Sequence, residues 1–373
     1  MARETVWYSS GMQGAPSISG TVSSLIDALD DCLVDGFAAA TLTSLAVASN
    51  VATATISGGH SFLQWSVVEI AGASPSGLNG RKRVLSVTGT TFTFATSGIA
   101  DQTATGTITA KVPAAGWTKA FSATNFAAYR NDSVAGTGGY LRVDDSSAQT
   151  ARVIGYMSMA DINTGTDPFP SEALVAGGGY WRKSSAASAT ARNWIVAADD
   201  RALYIVVDTD GTGAAYKAYF FGDYLSFASG AGPWDCMISC GLSTTGSPYL
   251  GYTDGSVSNQ ANYMPRIFAA TGTAVRCAKG GVRAYSALTT ADTHPHPVAG
   301  GILAYDFAPI YEGASTANLR GRMPGYVAYL NNCNSTLTWN TPHLLDGFAE
   351  YILPIKTSDS TAPVFGVSLG DWR

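Results

Sequence analysis

The sequence predicts an all-β protein: a small barrel-like β module, a larger β-sandwich or jelly-roll domain, and one short N-terminal helix. Three observations lead there. The acids are 22 Asp against 5 Glu, the bases 15 Arg against 7 Lys, and Gly supplies 41 of the 373 residues. Glu and Lys favour helices, whereas Asp and Gly serve turns and caps. Short β-branched or period-2 runs recur along most of the chain, punctuated by Gly, Asn, Ser and Pro. No 20–50-residue period repeats, which disfavours a β-helix.

The helix comes first in the chain. TVSSLIDALDDCLVDGF, residues 21–37, places Val22, Ile26, Leu29 and Leu33 on one face, and a helix is expected over 21–35. Asp27, Asp30, Asp31 and Asp35 form its wet side, and Gly36 stands where a left-handed residue would stop it. A stripe of about four apolar residues is too narrow to hold a helix alone in water. Residues 1–43 therefore read as an N-terminal docking segment.

Residues 44–112 are expected to form the small all-β module with few contacts to the rest. SNVATATISGGHSF, SVVEIAG, GRKRVLSVTGTTFTFAT and TATGTITAK supply its strands, and Pro113 and Gly116 punctuate its end. Residues 113–373 are the larger domain. The apolar runs 202–207 and 214–221 flank DTDGTG, a hairpin signature. Further strands are expected at 140–145, 151–159, 234–242, 300–311, 326–331, 348–356 and 365–372, numerous enough for a sandwich or jelly-roll.

Composition excludes several functions. Charged residues are 13% and the net charge is −5. The densest basic run, Arg81-Lys82-Arg83, is too short for a nucleic-acid footprint, so no nucleic-acid partner is expected. No apolar run approaches the ~18 residues of a membrane span, so no membrane insertion is expected. The N-terminus lacks a hydrophobic core of the secretory kind, which implies a protein made in a cytoplasm and kept there or freed by lysis. Cys32, Cys236, Cys240, Cys277 and Cys333 are odd in number and read as buried reduced thiols. Cys236 and Cys240 have a C-x3-C spacing unlike a zinc knuckle.

The chemistry-bearing residues each admit a structural reading. His60 in SGGHSF, without a second His or Cys nearby, reads as a turn residue bonding backbone. Asp208-Thr-Asp210-Gly211 resembles the start of a calcium loop, but Thr212 stands where a third oxygen ligand belongs and the terminal Glu is missing. Asp144-Asp145 and Asp199-Asp200 could be catalytic carboxylates; adjacent strand residues point to opposite faces, and pairing with Arg142 and Arg201 is the favoured reading. His294-Pro-His296-Pro would offer six imidazoles to one ion on a three-fold axis, although Pro295 and Pro297 favour an exposed loop. No nucleophile elbow, P-loop or dinucleotide fingerprint is present, and GTGG at 136–139 lies in a loop. No catalytic residue, cofactor site or metal site is assigned. The aromatics, among them Trp181, Trp194, Trp234, Tyr180, Tyr204 and Tyr219, are expected to fill the core, with a few free to stack on sugar.

Several segments resemble known proteins. Val51–Thr55, Gly59–Phe62, Val68–Ala73, Leu78–Gly80, Val84–Thr88 and Thr91–Phe94 together look like a small β module recurring in tailed-bacteriophage virion proteins. The flanks GAPSISGTVSSLIDALDDCLVDGF, GWTKAFSATNFAAYR, YLRVDD, YWRKS, ARNWIVAADDRALY, FFGDY and RGRMPG resemble a structural protein of siphophage tail modules. The resemblance implies a non-enzymatic virion component of the tail tip or baseplate, with a head-fibre or decoration role as the alternative. It further implies a symmetric oligomer, a trimer, contacting other phage tail proteins, with host surface glycan as a further partner. It carries no catalytic residues.

Overall fold

The computed structural model describes residues 4–213, 215–227, 234–245, 262–279, 304–306, 308–313, 318–329, 337–345, 347–356 and 365–373. The protein is all-β, with antiparallel pairing throughout the described strands and, among the described residues, one short α-helix and a 3-10 turn at Ser76–Leu78.

The small module is a barrel. Residues 37–48 and 102–112 run antiparallel from the Phe37–Val112 pair to the Val47–Gln102 pair. From Ser44–Ala48 the ladder passes through Val51–Thr55, Thr91–Ala95, Gly80–Val87 and Val67–Ala71. It returns to Thr109–Val112, so the sheet closes on itself. Alternate residues point inward: Leu45 and Val47, Ala52 and Ala54, Phe92 and Phe94 are all buried. The barrel begins at Phe37 rather than at residue 44, because Phe37–Thr41 supplies the partner that Thr109–Val112 needs. Its FAAAT sequence, with three consecutive Ala, shows no period-2 contrast.

The described part of residues 1–43 is built into the protein's own fold. Val6–Ser9 is a fully buried strand at one edge of a ten-stranded sheet, paired with Trp194–Ala198. The α-helix spans only Ser24–Asp30 and continues as a π-helical turn over Asp31–Asp35. Its apolar side is wider than the expected stripe, because Leu25, Ala28 and Cys32 are buried beside Ile26, Leu29 and Leu33, whereas Val22 is exposed. That side packs against the protein's own sheet: Tyr129 Oη donates to the carbonyl of Ile26 and to Asp30. Gly36 has φ 73° but ψ 171°, so it ends the helix in an extended glycine conformation rather than a left-handed cap.

The larger domain is a sandwich of unequal sheets. The ten-stranded sheet runs in the order Val6–Ser9, Trp194–Ala198, Ala202–Asp208, Tyr216–Asp223, Cys236–Ser239, Asn262–Met264, Val275–Lys279, Pro309–Glu312, Asn318–Arg322, Leu225–Ser226. A five-stranded meander of Trp117–Ala123, Phe126–Asn131, Tyr140–Asp144, Thr150–Tyr156 and Gly179–Arg182 packs over it. Trp181 stacks on Tyr219, Trp117 and Phe169 meet Phe221, and Trp181 Nε1 donates to the Ser239 carbonyl. A second five-stranded sheet, including Tyr326–Tyr329, Tyr351–Ile355 and Phe365–Ser368, covers Tyr204 with Phe365 and Trp372.

One apolar core joins barrel and sandwich. Between them Arg83 donates to the carbonyls of Trp65, Thr5 and Leu369 and pairs with Glu4 at 2.6 Å. Trp65 stacks on Tyr351 at 3.7 Å, and Trp7 Nε1 donates to the Trp65 carbonyl. No barrel strand is hydrogen-bonded into the sandwich sheets among the described residues.

Candidate functional site

A cleft of about 510 Å³ lies between the end of the ten-stranded sheet and the C-terminal sheet. Turn chemistry shapes its floor. Gly325 has φ 61°, and a Cβ there would enter the Trp372 ring, so only glycine lets that indole close the cleft base. Trp372 is fixed by donating Nε1 to the Ser368 carbonyl at 2.8 Å. Asp306, Glu350 and Asp371 are exposed at the rim, with half-buried Arg322 and Phe348 beside them. This lining offers hydrogen-bond acceptors, one guanidinium and one partly exposed ring. Those are the parts of a polar-ligand cleft, without a nucleophile paired to a base. Among the described residues no group of three His, Cys, Asp or Glu side chains is placed to hold a metal ion.

The buried ionic side chains hold the sandwich. Lys183 and Asp145 form an ion pair with both side chains at 0% exposure. Asp145 also accepts from the Leu25 and Ile26 amides, and Lys183 donates to the Thr21 carbonyl. The pair thus satisfies amides that a helix start leaves open. Asp199 pairs with Arg373 and accepts from the Arg201 and Ala202 amides; burial raises its carboxyl despite these partners. Asp223 pairs with Arg201 and accepts from Thr137. Arg320 reaches Glu312 at 2.9 Å and Asp235 at 3.5 Å. Lys279 donates to Tyr326 Oη at 2.8 Å, and burial lowers its ammonium to about 7.

The residues singled out from sequence are dispersed. His60 accepts the Phe62 amide proton on Nδ1 and packs on Phe62 and Phe92, which makes it a turn residue at the barrel end. Asp208 and Asp210 hold the 208–213 turn by accepting from Gly213 and Thr212, between strands Ala202–Asp208 and Tyr216–Asp223. Arg142 and Arg201 are not the partners of the aspartates beside them. Arg142 donates to the Ile162 carbonyl and lies over the Phe126 ring, while Arg201 pairs with Asp223. Asp144 points to the opposite sheet face from buried Asp145, and Asp200 is buried at a turn. Cys32, Cys236, Cys240 and Cys277 are buried, and burial raises each thiol above the ordinary range. His294, His296 and Cys333 lie outside the described residues.

Sequence reasoning did not single out Lys183, Lys279, Arg320 or Arg83. In a chain with 7 Lys, a Lys next to buried strand residues, as in YWRKS and VRCAK, is the one available signal. No protein-family model matches the chain, and no curated protein matches it.

Proposed function

We propose that the chain is a non-enzymatic structural component of a bacteriophage virion, at the tail tip or baseplate, acting in assembly and host attachment. It is made in the host cytoplasm and carried in the tail. The observation that supports a scaffold most is the fate of the tryptophans. Trp7, Trp117, Trp181, Trp194 and Trp372 are buried. Trp65, Trp234 and Trp339 lie against Tyr351, Arg266 and Tyr216. Rings committed to packing and buried charges committed to internal contacts make a rigid body suited to fixed contacts. The deciding measurement is the protein's position and copy number in a density map of intact particles. Repeated copies around the tail axis are expected; a single monomeric copy, or absence from mature particles, would end the reading.

The cleft favours a second reading, a receptor-recognition protein that holds host glycan between Phe348 and the polar rim. Titration with host surface glycan, followed by chemical-shift or calorimetric change, would detect it. Loss of binding in Phe348→Ala with an unchanged melting curve would place the ligand there, and no binding to the wild type would remove this reading.

A further inference from the structure

We infer that the outer face of the five-stranded meander binds the acidic side of the N-terminal helix on a second copy of this chain. The register gathers scattered arginines onto that face. Arg130, Tyr140 and Tyr156 lie in one row, Ala128, Arg142 and Ile154 in the next, and Phe126, Asp144, Arg152 and Tyr180 in a third. Arg182 stands opposite Thr150. Residues paired across antiparallel strands share a face; on this one Arg130 is exposed, Arg142, Arg152 and Arg182 are half-buried, and Ala128 and Thr150 are covered, while the alternate rows of Tyr129, Leu141, Val143 and Val153 are fully buried.

Each guanidinium is held in place. Arg130 lies over Tyr140 at 5.6 Å, Arg142 over Phe126 at 5.0 Å and Arg152 over Tyr180 at 3.9 Å. Arg142 donates to Ile162, Arg182 to Ser184, and Arg152 to the carbonyls of 176–178. Among the described residues none of the four has a carboxylate partner. On the strands themselves Asp144 is the opposing charge, and its carboxylate accepts from the Ser146 amide. Arg and aromatic side chains without Lys or Glu are the composition of a protein–protein interface core.

The complementary surface is on the same chain. Asp27 and Asp35 are exposed and Asp31 is half-buried. Lys119 takes Asp30, but among the described residues no cation pairs with the other three carboxylates. Lys111 reaches the backbone carbonyl of Asp35, not its carboxylate. Burial and repulsion from Asp35, Asp30 and Asp27 push the Asp31 carboxyl up, a cost that an approaching cation would relieve.

The two surfaces cannot meet within one molecule. Tyr129, which bonds the helix, is on the inward face of the meander, so helix and guanidiniums lie on opposite sides of the sheet. Between copies the contact is head-to-tail, and such a contact closes a ring when its rotation allows. The inference deepens the assembly part of the proposed function, and its test uses the purified chain. A protein found in particles that does not self-associate would sink the inference and leave the virion reading standing.

Sedimentation of the full chain at high micromolar concentration tests it. The wild type is expected to be oligomeric at low salt, with its mass falling as salt screens the exposed pairs. The pair Arg130→Glu/Arg142→Glu and the pair Asp27→Lys/Asp35→Lys should each run at the 38.7 kDa of one chain. In an equal mixture the intact Asp helix of one variant meets the intact Arg face of the other, and the reversed pair, Glu opposite Lys, is complementary as well, so association should return. The aspartates are exposed at positions the fold does not use, so the second variant guards against a folding defect in the first. A monomeric wild type, variants that stay oligomeric, or a mixture that does not associate would each overturn the inference. So would retention of monomeric wild type on a sulfated polysaccharide resin that only the arginine variant loses, which would assign the face to an anionic polymer.

Discussion

The barrel and the sandwich are both antiparallel β, yet they are stabilised differently. Every charged residue buried among the described residues lies in the sandwich: Asp145, Lys183, Arg192, Asp199, Asp200, Asp208, Asp223, Asp235, Lys279 and Arg320. The barrel's interior is aliphatic and aromatic, with Phe92 and Phe94 both at 0% exposure. A closed ladder leaves few backbone groups to satisfy from outside, so side-chain alternation suffices. The sandwich joins a helix start, several loops and three sheets, and their open amides and carbonyls are met by buried ionic side chains. The lesson is that buried charge here marks where unlike elements meet.

That contrast can be broken first at its strongest point. Asp145→Ala should cost roughly 3–5 kcal/mol, because it leaves Lys183 buried without its carboxylate. Denaturant unfolding measures this, and Asp145→Leu/Lys183→Met should recover much of the loss; a single variant no less stable than wild type would contradict the role of the pair. Arg83→Ala should cost about 2 kcal/mol by removing charged hydrogen bonds between barrel and sandwich. Its calorimetric trace should resolve a separate barrel transition; an unbroken single transition at the wild-type temperature would show that Trp65 and Trp7 suffice.

The third test is a pH slope. Unfolded Lys279 holds its proton to ~10.4, whereas the folded group releases it near 7, so unfolding above pH 7 takes up a proton. Stability should therefore rise by up to about 1.4 kcal/mol per pH unit from this group between pH 7 and 8, below the ordinary titration of thiols. Thermal melts of Lys279→Met should lack that rise; equal slopes in both proteins would refute it. The smallest effect is kinetic. Cys32, Cys236, Cys240 and Cys277 should resist a thiol reagent in the native protein and react on unfolding, read by mass spectrometry. Two native disulfides in non-reducing mass analysis would contradict this.

Legibility follows the same division. In the barrel, LAVA, ATAT and TFTFA alternate because one face is wet, and the strands are readable directly. Ala202–Asp208 is buried along its whole length, so its alternation is absent, and the DTDGTG turn is what reveals the hairpin. Val6–Ser9, also wholly buried and lacking such a turn, was not legible. Ion-pair partners are not sequence neighbours: Asp199 finds Arg373 and Asp145 finds Lys183. The arginine face is hidden for the same reason: Arg130, Arg142, Arg152 and Arg182 are far apart in the chain, and only strand register aligns them. The cleft assembles from five separate segments and leaves no local pattern.

The barrel's closing pair has a consequence for ancestry. Phe37 and Val112 face each other across one ladder, so the chain enters and leaves the barrel ~5 Å apart. Just outside, Ala115 and Gly116 donate back to the carbonyls of Cys32 and Leu33, holding the stem shut. A unit with adjoining entry and exit is a cassette. It can be spliced into a surface turn of another host, or cut from this one, with the gap spanned by a short link and no rethreading of the recipient sheets. Recombination that shuffles coding segments would meet little topological resistance at residues 36 and 113.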